Sequence, residues 1–114
     1  MRTLTLSIAS RDEVSRRALA AFEGTDQGSY VSFASVDLLW KVMSPKRWDL
    51  LKTMAGQEAM TIREAARRSS RDVKAVHGDV HALLDAGILE RGADGRVSFP
   101  YDAIHVDFTL TQAA

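Results

Sequence analysis

From residue 45 onward the chain carries start and stop signals for three helices and a hairpin, and their order most constrains the fold. Ser44-Pro45 opens the first helix, with proline where a missing N–H costs nothing. Leu50, Leu51 and Met54 give it an apolar side, and Gly56 ends it. Thr61-Ile62-Arg63-Glu64 is a capping box opening a short helix through Ala65-Ala66. Ser69-Ser70 interrupts it. Ser70 is expected to cap a longer helix, Arg71 to Ala86, closed by Gly87. Val73, Val76, Val80, Leu83 and Leu84 recur at helical spacing and predict one buried stripe on it. Ile88–Glu90 and Arg96–Phe99 flank Asp94-Gly95, a strong turn pair, which predicts a β-hairpin ended by Pro100. Helix, short helix, tight turn, longer helix and hairpin is the order of a winged helix-turn-helix.

The remaining segments add less specific signals. Ser10-Arg11-Asp12-Glu13 is a second capping box, predicting a helix through Phe22 that stops at Gly24. Tyr30–Ala34 reads as a strand, and Ser35 caps a short helix, Val36–Met43, with Leu38, Leu39 and Val42 inward. Ile104–Leu110 alternates and reads as a strand expected to pair with Tyr30–Ala34. The expected fold class is α+β: a winged helix-turn-helix with an N-terminal helix and an extra small antiparallel sheet. Residues 1–34 form a dimerising helix and strand, 35–100 the winged core and 101–114 a C-terminal strand. Leu19, Phe22 and the neighbouring alanines leave an apolar helix face that predicts a homodimer.

Composition excludes several classes. The 114 residues suit one domain, and the absence of cysteine removes disulfides, thiolate metal sites and cysteine nucleophiles. No apolar run approaches a membrane span and Met1–Ser10 lacks a signal-peptide layout, so a cytoplasmic protein is expected. Ser98, Asp102 and His105 lack the nucleophile elbow of a hydrolase, and Gly92–Gly95 is a turn rather than a phosphate loop. Neither an enzyme nor a cofactor is expected. His77 and His81 stand one turn apart as in helical zinc sites, but two ligands fall short of the usual four and no metal is expected. Trp40 and Trp48 read as core.

Net charge is zero only on average. Residues 41–77 carry nine Lys/Arg against four Asp/Glu, while residues 1–40 net −1 and residues 78–114 net −4. A basic middle between acidic ends suggests a polyanionic partner. On the longer helix the face opposite the valine stripe holds Arg71, Asp72, Lys74, Ala75, His77, Gly78 and Asp79. Small residues at Ala75 and Gly78 allow close approach to base edges in a major groove, with Arg71 and Lys74 in the first turn as readers. Asp72 and Asp79 repel phosphate there, although aspartate can accept from cytosine. Arg63, Arg67 and Arg68, with Lys46 and Arg47 at a helix start, are expected to meet the DNA backbone, and Arg96 on the wing to meet flanking phosphates. Arg71 and Arg96 are both expected to point away from the core.

Four stretches carry a family resemblance: Trp40–Arg47, Thr61–Ala66, Arg71–Val80 and Pro100–Asp107. They resemble the MarR-like winged-helix DNA-binding regulators of bacteria and archaea, over about residues 30–110. The sequence departs from that pattern at Gly78, where a longer polar or basic side chain is expected. Members often stand beside a small toxin and are then treated as antitoxins of the TumE/TumA kind. The resemblance implies a sequence-specific double-stranded DNA binder that represses transcription, an autorepressing antitoxin being one form of it. The alternative is a winged-helix interaction protein that neutralises a toxin with little or no DNA binding.

Overall fold

The computed structural model describes residues 2–9, 15, 16, 19 and 29–109. Its elements run β1 (Thr3–Ile8), β2 (Ser29–Phe33), α1 (Val36–Val42), α2 (Pro45–Met54), α3 (Ile62–Ser69), α4 (Val73–Asp85), β3 (Glu90–Arg91), β4 (Val97–Ser98) and β5 (Ala103–Asp107). The expected helix from Ser10 to Gly24 lies outside the described residues, apart from Ser15, Arg16 and Leu19, which are helical. The fold is α+β.

Local signals explain the helices. The hydroxyls of Ser35, Ser44 and Thr61 accept from the backbone of Leu38, Arg47 and Glu64, and each satisfies an orphan N–H of a first turn. Gly87 follows α4 at φ +81°, the left-handed stop that favours glycine. The α3–α4 turn differs from expectation. Ser70 is not an N-cap: it ends α3 in the left-handed region at φ 55°. Asp72 caps α4 instead, accepting from the N–H groups of Lys74 and Ala75. The helix therefore starts at Val73, and Arg71 lies before it, in the turn. Ser70 takes the left-handed conformation that stops α3, and a residue held there cannot also adopt the extended conformation of an N-cap.

The larger correction concerns the sheet. Tyr30 and Ile104 lie in strands of one sheet, but the strands do not pair with each other. They flank β1 in the order β2-β1-β5, and both pairings are parallel, not antiparallel. Leu4 faces Ser29 on one side and Ile104 on the other. Parallel neighbours need a crossover of about a dozen residues or more. Both chain separations from β1 exceed that, and β1, a strand not among those expected, has its local signal in the alternation of Thr3-Leu4-Thr5-Leu6. Its middle position buries Leu4, Leu6 and Ser7, the last hydrogen-bonded to the Ser32 hydroxyl at 3.3 Å. The start of β1 is tied to the start of β5, where the Arg2 N–H donates to Asp102 Oδ2 at 2.9 Å.

One core joins the sheet to the helices: Leu4, Leu6 and Phe33 cluster with Leu39, Leu51, Met54, Val76, Val80, Leu83 and Phe99. Burying each such side chain contributes about 1.5–3 kcal/mol. The hairpin follows its turn signal, with Gly95 at φ +83°, and Met60 adds a further strand position by exchanging both backbone hydrogen bonds with Val97. The buried stripe on α4 omits Val73, which is 42% exposed because it sits at the helix start, beyond the core. Leu38 and Trp40 are also exposed rather than inward; Leu39 takes the buried side of α1, while Trp40 packs edge-on against Phe108. Trp48 does pack against the core. No helix among the described residues is long and apolar enough to cross a membrane.

Candidate nucleic-acid interface

The basic block resolves into three groups. The first is internal. Asp79 Oδ1 accepts from Arg47 Nε at 3.0 Å and Asp79 Oδ2 from Arg71 Nη2 at 2.7 Å. Arg47 Nη1 also donates to the Val42 carbonyl at 2.9 Å. The three side chains keep 15–22% of their surface, so this network is mostly buried. It ties the end of α1, the start of α2 and the α3–α4 turn to α4. Arg47 and Arg71 therefore do not stand on a free face. Arg71 does not point away from the core, and Asp79 is a bridging carboxylate rather than a phosphate-repelling one. One signal for this was present in the sequence: Asp79 lies three residues after Val76 and four before Leu83, on the edge of the buried stripe.

A second group is exposed but paired. Glu64 accepts from both Arg67 and Arg68, the Arg68 Nε bond measuring 2.9 Å. The capping box thus uses its threonine but spends its glutamate on the two arginines. The Arg67 hydrogen bond, and then that of Arg68, holds the Glu64 carboxyl at about 2, well below its usual 4.5. A depressed folded value stabilises the native state above about pH 4.5, and that contribution is lost as pH falls through about 2. We expect a carboxyl-carbon NMR titration to place Glu64 near 2, and the Arg67→Ala/Arg68→Ala variant to return it to the ordinary glutamate range. A midpoint above 4 in the unaltered protein would show that the pairing does not persist in water.

The third group is exposed and free of such partners among the described residues: Lys41 near the end of α1, Lys46 at the start of α2, Arg63 on α3 and Lys74 in the first turn of α4, with Lys52 only loosely paired, 3.9 Å from Asp49. Arg96, beside β4, is 57% exposed and only loosely paired, 3.8 Å from Asp94. Arg68 and Arg96 line one polar cleft between the start of α3 and the hairpin, in company with Glu58 and Glu64.

On α4 itself Lys74, Ala75, His77 and Gly78 are all exposed. Asp72, the cap, is exposed at the same end. A Cβ on Gly78 would meet nothing within 4 Å, so packing does not require glycine there. Glycine inside a helix costs about 1 kcal/mol relative to alanine, which makes its presence on an open face notable. His77 and His81 touch through their Nε2 atoms at 3.1 Å.

A family model, HVO_A0114, matches residues 42–106, more than half of the chain, and the chain belongs to that family. The name assigns no activity. No curated protein and no solved structure matches the chain.

Proposed function

We propose that this member of the HVO_A0114 family is a winged helix-turn-helix protein that binds double-stranded DNA sequence-specifically and regulates transcription. The observation carrying the reading is the open face of α4. Lys74 projects from its first turn, while Ala75 and Gly78 keep the backbone accessible and Gly78 answers to no packing need. A recognition helix uses its N-terminal residues on base edges, and small residues let it approach them. Lys46, Arg63 and Arg96 supply backbone contacts that position the helix. Arg71 is replaced in the reading role by Lys74, since Asp79 holds Arg71. The resemblance to MarR-like regulators supports repression by a homodimer on a twofold site, in the cytoplasm, with an antitoxin role as its narrower form.

Duplexes selected from a random pool supply the test. Lys74→Ala is expected to cost about 1–3 kcal/mol on the selected duplex and to flatten its preference over scrambled DNA. Arg96→Ala should weaken both duplexes alike, as a phosphate contact does. Gly78→Leu should raise the melting temperature slightly, because leucine is the better helix former, yet block close approach and lower affinity at least about tenfold on the scale of one lost base contact. If Lys74→Ala left the selected-to-scrambled ratio unchanged, α4 would not be the reading helix. The protein-neutralising alternative would then take precedence.

A further inference from the structure

We infer that His77 and His81 form a bidentate site for a divalent transition-metal ion of the zinc, nickel or copper class on the exposed side of α4. Spacing of four residues places both rings on one side of the helix. Their Nε2 atoms lie 3.1 Å apart and the ring centroids 4.2 Å apart, at 44° to each other. With metal–nitrogen bonds of about 2.0–2.1 Å, that separation subtends roughly 95–100° at the ion, between the octahedral and tetrahedral angles. Spacing alone does not bring the two nitrogens together; the sequence counted against a metal because two ligands fall short of the usual four.

The exchange is balanced. One ring now donates its Nε2 proton to the lone pair of the other. In the metal complex both neutral rings carry their proton on Nδ1, and both Nε2 lone pairs bind the ion, with no redox change and no net proton lost. A small turn of either ring directs both lone pairs to one point. Among the described residues no group of three His, Cys, Asp or Glu side chains converges, so water fills the other positions. Two imidazoles without carboxylates select zinc, nickel or copper over magnesium or calcium, which require oxygen. The ion clamps successive turns of α4. The proposal does not rest on the DNA-binding reading, although His77 lies on the same open face of α4 as Lys74 and Gly78.

The test uses the untagged full chain, titrated with NiCl2 and with ZnCl2 at pH 7.5. Calorimetry should give saturable binding of one ion per chain. Histidine side-chain NMR should show His77 and His81 responding together, with His105 on β5 as the unaffected control. Each of His77→Ala and His81→Ala should weaken binding about a hundredfold, because the second nitrogen of a chelate acts at high effective concentration. Saturating ion should raise the melting temperature of the unaltered chain and not of the variants. His77 is exposed and His81 only half-buried, so metal-free melting curves should lie close together. Absence of saturable binding, or equal affinity in the His77→Ala/His81→Ala double variant, overturns the inference.

Discussion

Asp79→Ala is expected to destabilise the fold by about 3 kcal/mol, near the lower edge of what removing one partner from a buried ion pair costs. The lower edge applies because Arg47, Arg71 and Asp79 retain some contact with water. At roughly 4 °C per kcal/mol for a chain of this size, the melting temperature should fall by about 12 °C. The physical cause is the pair left behind. Two guanidiniums, at 22% and 19% exposure, would face each other without the carboxylate between them. One of them already has a buried nitrogen, Arg71 Nη1, with no hydrogen-bond partner among the described residues. The Asp79→Ala/Arg71→Met variant should recover part of the loss, because an apolar side chain of similar length carries no unpaired charge. Arg71→Ala should also destabilise, contrary to the expectation that this side chain points outward. Thermal and urea melts check all three; a loss under about 1 kcal/mol for Asp79→Ala would place the network with ordinary surface pairs.

Raising salt from 50 to 200 mM is expected to weaken a two-copy DNA complex by about four orders of magnitude. The estimate follows from which of the residues expected to contact DNA are free. Lys46, Arg63, Lys74 and Arg96 are exposed and not held in short ion pairs, which makes four contacts per copy. Eight phosphates give a log–log slope of about −7. Were Arg47, Arg67, Arg68 and Arg71 to contribute as well, the slope would approach about −14, and the internal network and the Glu64 pairings would have to break. A slope near −7 thus supports both the interface and the partition of the basic block. A slope shallower than about −2 would mean that the basic residues form only a solvated face. Footprinting should show two half-sites one or two helical turns apart, and one unpaired half-site would contradict the twofold arrangement.

The exposed side of α4, the candidate interface, was legible in the sequence because it depends on local chemistry. Lys74, Ala75, His77 and Gly78 are placed by their distance from Val76 and Val80, and helical periodicity carries that information. Arg71 and Asp79 were misplaced for a related reason. A two-residue change in where α4 begins, from Ser70 to Asp72 as cap, moves Arg71 off the helix and into a turn. Pairing with Asp79 then depends on the approach of α2, which brings Arg47 to the same carboxylate. Cap signals alone do not choose between Ser70 and Asp72, since both are good N-cap residues.

By itself the sequence determined what is decided within a few residues: the caps at Ser35, Ser44 and Thr61, the glycine stop after α4, the Asp94-Gly95 turn and the apolar stripe through Val76, Val80 and Leu83. Tertiary structure decided what depends on segments far apart in the chain. It placed β1 between β2 and β5 and made both pairings parallel, a choice that alternation in a six-residue strand cannot express. It also divided a nominally basic block into one buried network around Asp79, one glutamate-held arginine pair and lysines and an arginine left open or loosely paired, because a charge becomes free or bound only when packing brings its partner within reach.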